Sequence, residues 1–336
     1  MEQLIKKLNQ ERKIKWPDSF EIIASELNIV EENLTTQLPV KSKLLKEIIS
    51  YIFLAGGKRL RPALSLLFAK ATGNITKKHI VLSELTELIH TASLIHDDII
   101  DSAKLRRGRE TINSLWNDKI SVISGDFLFA QASVRLGILE NSEIVKIYAN
   151  VLSELCDGEI EQYSLLFNTN ITWDDYIQKS TSKTASLFSA CCKSAAILNS
   201  AEENIIEQAK NFGLFLGIAF QIVDDILDFT SSSDNLGKEV CSDLKRGIIT
   251  APTLFALNSS DERTKQIRVL IENRFNEAEV DFDKVIRLIF ELGGCDKAKE
   301  LAQAYIKKAV TSLSFINNYE IRSTLTKIAD TVIKKI

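Results

Sequence analysis

The stretch NFGLFLGIAFQIVDDILDF, residues 211–229, decides the fold class. Its apolar side chains recur at steps of three and four with no alternating run, which predicts a helix with one polar stripe rather than a strand. That stripe carries Gly213, Gly217, Gln221, Asp224 and Asp228 in turn. A glycine inside a helix costs about 1 kcal/mol relative to alanine, so two on one stripe need a reason. Tight helix packing supplies one. Next to Gln221 and two acids, a substrate cavity is the preferred reading.

The acidic run at the end of this stretch, Asp224-Asp225-Ile-Leu-Asp228, has a counterpart upstream in Asp97-Asp98-Ile-Ile-Asp101. On a helix the outer acids of each run stand at i and i+4, about 6 Å apart on one face. Their neighbours Leu94, Ile95, Ile99, Ile222, Val223 and Ile226 belong in a core, and carboxylates among core residues need metals or partners. Hard oxygen ligands at this spacing suit Mg²⁺, an ion usually shared between carboxylates and substrate phosphates. Upstream, His90, Ser93, Asp97 and Asp101 fall on one stripe, whereas His96 lies off it and reads as structural. Zinc fits poorly, because the chain has three histidines and no cysteine near the pair.

Working outward, the same pattern holds through the 336 residues. Thirteen Gly and four Pro are few breakers for a chain 45% hydrophobic, so an all-α fold of long helices is expected. No Pro/Ser/Gly-rich linker divides the chain, which predicts one helical domain over residues 21–336 after a variable segment, 1–20. A net charge of −3 with scattered basic residues gives no reason to expect nucleic-acid binding. The apolar run 212–223 is shorter than the roughly 20 residues of a membrane span, so no transmembrane helix is expected. Five cysteines without Cys-x-x-Cys spacing point to a reducing compartment such as the cytoplasm. The charged segment 1–15 is not a secretory signal, and organelle targeting stays open.

Basic residues gather at Gly56-Gly57-Lys58-Arg59-Leu60-Arg61-Pro62, at Arg106-Arg107-Gly108, at Lys183-Thr184 and at Gly237-Lys238. Arginine holds phosphate oxygens bidentately, lysine adds a compact charge, and glycine lets backbone amides approach an anion. Two anion sites follow from the first two clusters.

These segments, with Gly125-Asp126, Gly158-Glu159, Phe220-Gln221, Asp243-Leu244 and Gly293-Gly294, resemble the trans-isoprenyl diphosphate synthase (polyprenyl synthetase) family over roughly residues 20 to 330. The resemblance implies a bundle of long helices around a central cavity, usually a homodimer. It implies condensation of isopentenyl diphosphate onto an allylic diphosphate, with Mg²⁺, about three ions per active site. On this likeness Asp97, Asp101 and Asp224 are metal ligands, with Asp98, Asp225 and Asp228 in the same metal set. Lys58, Arg61, His90 and Arg107 belong to the isopentenyl diphosphate site. Arg106, Lys183, Thr184, Gln221 and Lys238 belong to the allylic diphosphate site, and Asp97, Asp101, Lys183, Gln221 and Asp224 carry the catalysis. The segment after Lys238 departs from the family pattern at Glu239, Cys241, Ile248 and Ala251. Ile248 removes a phosphate cation that Lys245 or Arg246 is close enough to replace.

In short-chain members of this family an aromatic residue four or five positions before the first Asp forms the floor of the product tunnel. Here Ser93 and Ala92 stand there, about 6 to 7.5 Å down the helix, and imply a tunnel open past about fifteen carbons. Tyr148, three turns before Glu159, is a candidate for a deeper floor or an ordinary core residue. A long-chain product, as in a quinone side chain, is preferred. A geranylgeranyl diphosphate synthase, a non-catalytic partner subunit and a terpene cyclase are the alternatives; retained acids and cations speak against the second, and a second diphosphate site against the third.

Overall fold

The computed structural model describes residues 16–106, 108–230, 241–275 and 282–336. The all-α expectation holds. After a 3₁₀ turn at Asp18–Ile23 come α1 (Ala24–Thr36), α2 (Lys43–Leu54), α3 (Leu60–Thr72), α4 (Lys77–Ile100), the short α5 (Ile112–Leu115), α6 (Asp118–Leu139) and α7 (Ser142–Ser164). Then follow α8 (Trp173–Ser180), a π-helical turn at Thr181–Ala185, α9 (Ser186–Leu198) and α10 (Glu203–Thr230). The last described helices are α11 (Ser242–Lys245), α12 (Ala251–Leu257), α13 (Arg263–Glu272), α14 (Phe282–Glu291), α15 (Gly294–Thr311) and α16 (Tyr319–Ile333).

One small departure is a hairpin in which Leu105–Arg106 (β1) pairs antiparallel with Arg109–Glu110 (β2). Gly108 sits in its tight turn at φ +73, a conformation glycine adopts without a Cβ penalty. Two-residue strands are too short to leave an alternating signature.

The described residues fall into two compact units. The first draws on the chain up to Ile147, with Cys191–Ala209 and Ile316–Leu325; the second on Tyr148–Ala190, Lys210–Phe315 and Thr326–Ile336.

In the first unit α4 is the axis. Leu82, Leu85, Leu88, Ile89 and Ala92 are all fully buried, so this helix is covered on most sides. Its start is fixed by a capping box in which the Thr76 backbone N–H donates to His79 Nδ1 at 3.0 Å. The other ring nitrogen faces the Ala195 carbonyl at 3.2 Å, so Nε2 carries the proton, and burial holds the His79 pKa below its ordinary value. Helix α6 packs closely along α4. At Gly125 a Cβ would overlap the His96 ring, whose Nε2 lies 3.1 Å from the Val122 carbonyl. His96 is thus a packing residue of the α4–α6 contact. Helix α6 is apolar on its other sides too, with Val122, Ile123, Val134 and Ile138 exposed, and by length and composition alone it could cross a membrane.

A buried ion cluster ties four elements of this unit together. Arg59, at φ +46 just before α3, sends Nε to Glu31 Oε2 (2.6 Å) on α1 and Nη1 to Glu87 Oε1 (2.8 Å) on α4. Its Nη2 donates to the carbonyl of Phe53 on α2 at 3.3 Å.

The second unit is built on the long α10. Phe212, Leu216, Ala219, Ile222, Val223 and Ile226 are buried along it, and the fully buried Tyr148 and Tyr176 belong to the same unit. Helices α12 and α15 meet where Gly294 approaches the Pro252 carbonyl so closely that no side chain would fit.

Candidate active site

Within the first unit, α4 ends in the first acidic motif. The Asp101 N–H donates to the Asp97 carbonyl at 2.8 Å, so helical spacing persists to the last acid and keeps the two side chains on one face. His90, Ser93, Asp97 and Asp101 are half-buried, whereas Ile89, Ala92, Ile95 and Asp98 between them are buried. The stripe read from spacing is therefore accessible, together with Leu94, His96 and Ile99 beside it and the exposed Ile100.

Asp98, about 100° around the helix from Asp97, points elsewhere. Its Oδ1 accepts from Arg106 Nε on the hairpin at 2.7 Å. Asp98 and Arg106, assigned on sequence grounds to metal and to phosphate, so form an ion pair with each other. Arg107 lies outside the described residues.

Next to this pair a cavity of about 90 Å³ opens within the unit, bounded by Gly56, Arg59, Glu87, His90, Asp98 and Arg106. Apolar residues, Ile95 and Ile112 among them, also line it. Gly56, at φ +78, turns the chain into the loop that carries Lys58 and leads to Arg61; Lys58 is exposed and Arg61 half-buried. The lining thus combines the His90 imidazole, arginines paired with Glu87 and Asp98, and aliphatic groups, the mixture a ligand with a polar head and a short apolar tail requires.

The second acidic motif ends α10 in the second unit, and its three acids differ in setting. Asp224 is exposed. Asp225 is buried and accepts hydrogen bonds from Tyr176 Oη (2.6 Å), Gln221 Nε2 (2.9 Å) and the Ala251 N–H (3.1 Å). Burial pushes its pKa up to about 6 against the opposing effects of Lys179, Tyr176 and Gln221. Asp228 caps the following turn, Oδ1 taking the Ser242 N–H and hydroxyl and Oδ2 the Asp243 N–H. Burial, then the nearby Asp243, raise its pKa. Asp225, assigned on sequence grounds to the metal set, thus lies on the inward face of α10 with both oxygens accepting from protein donors.

The π-helical turn carries the remaining anion candidates. Lys183 Nζ pairs with Glu159 Oε2 on α7 at 2.7 Å, and Thr184 Oγ1 donates to Gln221 Oε1 at 2.7 Å. Such turns, with one residue more than an α-helix holds, recur at functional sites. Lys179, one turn before Lys183, is buried with its Nζ 5.5 Å from the centre of the Tyr176 ring, and burial lowers its pKa. Lys245 lies over the Phe282 ring (5.3 Å) and Arg246 pairs with Asp243 (2.7 Å). Gly237 and Lys238 lie outside the described residues.

The glycine stripe of α10 has a different cause from the one expected. A Cβ at Gly213 would overlap the Phe188 carbonyl, and one at Gly217 would stand 2.5 Å from Ala185 Cα in the π-turn. Close helix packing, not a cavity, explains both. We expect Gly217→Ala to destabilise the fold by about 1–3 kcal/mol, read as a lower urea midpoint, because the π-turn backbone would have to retreat. An unchanged midpoint would show the contact to be looser than drawn.

Among the described residues no three His, Cys, Asp or Glu side chains already converge as a metal cage. The donor chemistry nonetheless fits Mg²⁺. Asp97 and Asp101 are an all-oxygen pair one turn apart, Asp224 is exposed at the other motif, and Mg²⁺ completes its octahedron with water and phosphate oxygens.

Residues 42–289 match the family model described as Polyprenyl synthetase, more than half of the chain. The chain belongs to the polyprenyl synthetase family. It is accordingly a prenyltransferase with the isoprenoid synthase fold. Among relatives in this family, solanesyl diphosphate synthase 2, chloroplastic, of Arabidopsis thaliana is 42% identical over 312 residues, 91% of this chain and 74% of that one. A decaprenyl diphosphate synthase from Rhodobacter capsulatus superposes with a TM-score of 0.84 at 31% identity, covering 99% of both chains. A polyprenyl synthase from Caulobacter crescentus complexed with calcium and isoprenyl diphosphate gives 0.88 at 29% identity, covering 96% of this chain and 98% of that one.

Several residues beside the candidate site of this polyprenyl synthetase are not legible from spacing. Tyr176 and Lys179 belong to none of the quoted motifs, and only their burial beside Asp225 brings them forward; Glu159 stands in the Gly158-Glu159 segment, but its pairing with Lys183 is visible only in the structure. Arg59 is the opposite case, a cation in the Gly-Gly-Lys-Arg run that faces the core.

Proposed function

We propose that the protein is a long-chain all-trans polyprenyl diphosphate synthase that adds isopentenyl diphosphate, head to tail, to farnesyl or geranylgeranyl diphosphate, for use as a quinone side chain. The observation that carries the chain length is the small pair Ala92 and Ser93 immediately below Asp97. Ser93 is on the accessible stripe with Asp97, and Ala92 is buried beside it. The similarity to synthases named for solanesyl and decaprenyl products points the same way.

In this reading Asp97 and Asp101 hold magnesium through one motif, and Asp224 through the other, with Asp228 holding the following turn in place. The metal, when bound, offsets the charge that grows on the departing diphosphate. Lys183, the Gln221 amide and the Thr184 hydroxyl orient the allylic diphosphate. Lys58, Arg61, His90 and Arg107 take isopentenyl diphosphate, His90 from the lining of the first unit's cavity, whose aliphatic residues exclude water from the reacting double bond. Asp98 keeps Arg106 aimed along the rim of that cavity. Tyr148, fully buried in α7, is the proposed deeper floor of the tunnel. The exposed apolar face of α6 is covered by a second copy in a homodimer, and the apolar product passes to a membrane.

The test is incubation of purified protein with Mg²⁺, labelled isopentenyl diphosphate and farnesyl diphosphate, followed by sizing of the dephosphorylated products. Products of about thirty carbons or more are expected, since the helix offers no aromatic floor in its first turn below Asp97. A dominant twenty-carbon product would instead favour a geranylgeranyl diphosphate synthase. Ser93→Phe places a ring on the stripe about 6 Å below Asp97 and should shorten the product toward fifteen or twenty carbons. Unchanged length in that variant would show that the chain does not grow past this position.

A further inference from the structure

A chain of four side chains in the second unit has a fixed hydrogen-bond direction. The Ala251 backbone N–H can only donate, and it reaches Asp225 Oδ2 at 3.1 Å. Tyr176 Oη donates to the same oxygen at 2.6 Å, so the carboxylate is held as an acceptor. Gln221 must then turn its amide nitrogen toward Asp225 Oδ1, 2.9 Å away, which leaves Oε1 facing Thr184. The Thr184 hydroxyl has one proton, and it goes to Gln221 Oε1 at 2.7 Å. Away from this chain Thr184 therefore shows lone pairs only, while Gln221 keeps one further N–H.

We propose that Tyr176 is a positioning residue which, by anchoring the buried Asp225 carboxylate, sets the donor–acceptor polarity of the Gln221–Thr184 pair. This builds on the functional reading above. With that polarity, Gln221 offers a donor to a diphosphate oxygen, and Thr184 offers an acceptor to a water around the metal-bound diphosphate. With the polarity reversed, the amide would present its oxygen to an anion and repel it. Tyr176 is suited to this task by its surroundings. It is fully buried, its ring packs edge-on against Trp173 at 5.7 Å, and the buried Lys179 lies over its face. The ring is thus fixed without the hydroxyl, and the hydroxyl is left to hold Asp225.

The experiment is a double-mutant cycle between Tyr176→Phe and Thr184→Ala. Tyr176→Phe keeps the ring contacts and removes one buried hydrogen bond. We expect a roughly tenfold fall in kcat/KM for the allylic diphosphate, with KM for isopentenyl diphosphate unchanged. In the Thr184→Ala background the same change should cost less than about twofold, because the pair whose polarity it sets is already gone. Equal losses in both backgrounds, or a parallel rise in KM for isopentenyl diphosphate, would reduce Tyr176 to a packing residue and overturn the proposal. Calorimetric binding of inorganic pyrophosphate with Mg²⁺ to the same four proteins gives the coupling without turnover. If the wild-type chain yields no polyprenyl product from any primer, the functional reading fails. The pyrophosphate cycle still decides the relay, coupled losses supporting it and additive ones rejecting it.

Discussion

Asp97→Ala should lower kcat/KM by roughly a thousandfold or more, about 4 kcal/mol of transition-state stabilisation, while leaving the urea midpoint close to that of the parent. The argument is one of position. Asp97 is half-buried near the end of α4, one helical turn before Asp101, whereas the neighbouring Asp98 is buried and holds Arg106. On the proposed function, removing its carboxylate takes away an oxygen ligand of the metal while the buried residues of α4 stay in place. Asp98→Ala is the informative contrast. That change strands Arg106 at the cavity rim, so it should weaken isopentenyl diphosphate binding and lower stability together. An Asp97→Ala enzyme with near-parental turnover at saturating Mg²⁺ would sink the ligand assignment.

The second large effect is on folding. Arg59→Met leaves Glu31 and Glu87, whose side chains are 4% and 6% exposed, without the cation that faces them both. Breaking a buried pair in this way typically costs about 3–5 kcal/mol, because the remaining charge is stranded in a poor solvent. Here two carboxylates lose one partner, and α1 and α4 lose one of the links between them, the Asn33–Glu84 hydrogen bond remaining. The expected result is a fall of several kcal/mol in the unfolding free energy from urea titration, or failure to accumulate as soluble protein. The neighbouring Lys58→Ala, at an exposed position, should leave the midpoint unchanged and raise KM for isopentenyl diphosphate. An Arg59→Met protein as stable as the parent would show that the ion cluster contributes specificity rather than stability.

These adjacent cations also show what the sequence could and could not reveal. Helical periodicity exposed the class and the stripe through His90, Ser93, Asp97 and Asp101, since a repeat of 3.6 residues is written directly into the order of apolar and polar side chains. Which member of Lys58-Arg59 turns inward was not legible, because it depends on a left-handed backbone step at Arg59 and on glutamates 28 residues away in either direction. Similarly, Asp224 and Asp225 are indistinguishable as letters. Their roles part only through the 100° between them on the helix and through Tyr176, 49 residues before Asp225. Gly213 and Gly217 were read toward a cavity because the acids follow them on the same stripe; the helix they touch, α9 with its π-turn, leaves no trace in their own neighbourhood.

The π-turn at Thr181–Ala185 has a bearing on how this region can change over generations. The Ser186 N–H reaches back five residues to the Thr181 carbonyl, so the segment holds one residue more than a regular helix of its length. Loss of any one residue there would heal the ladder into ordinary α-helix, and nothing about helix formation would oppose it. It would also turn α8 by about 100° relative to α9 and carry Tyr176 off the line of Asp225. The spacing of this stretch therefore matters to Asp225 as much as the identity of its residues: a change in its length would move Tyr176 even if every side chain were kept.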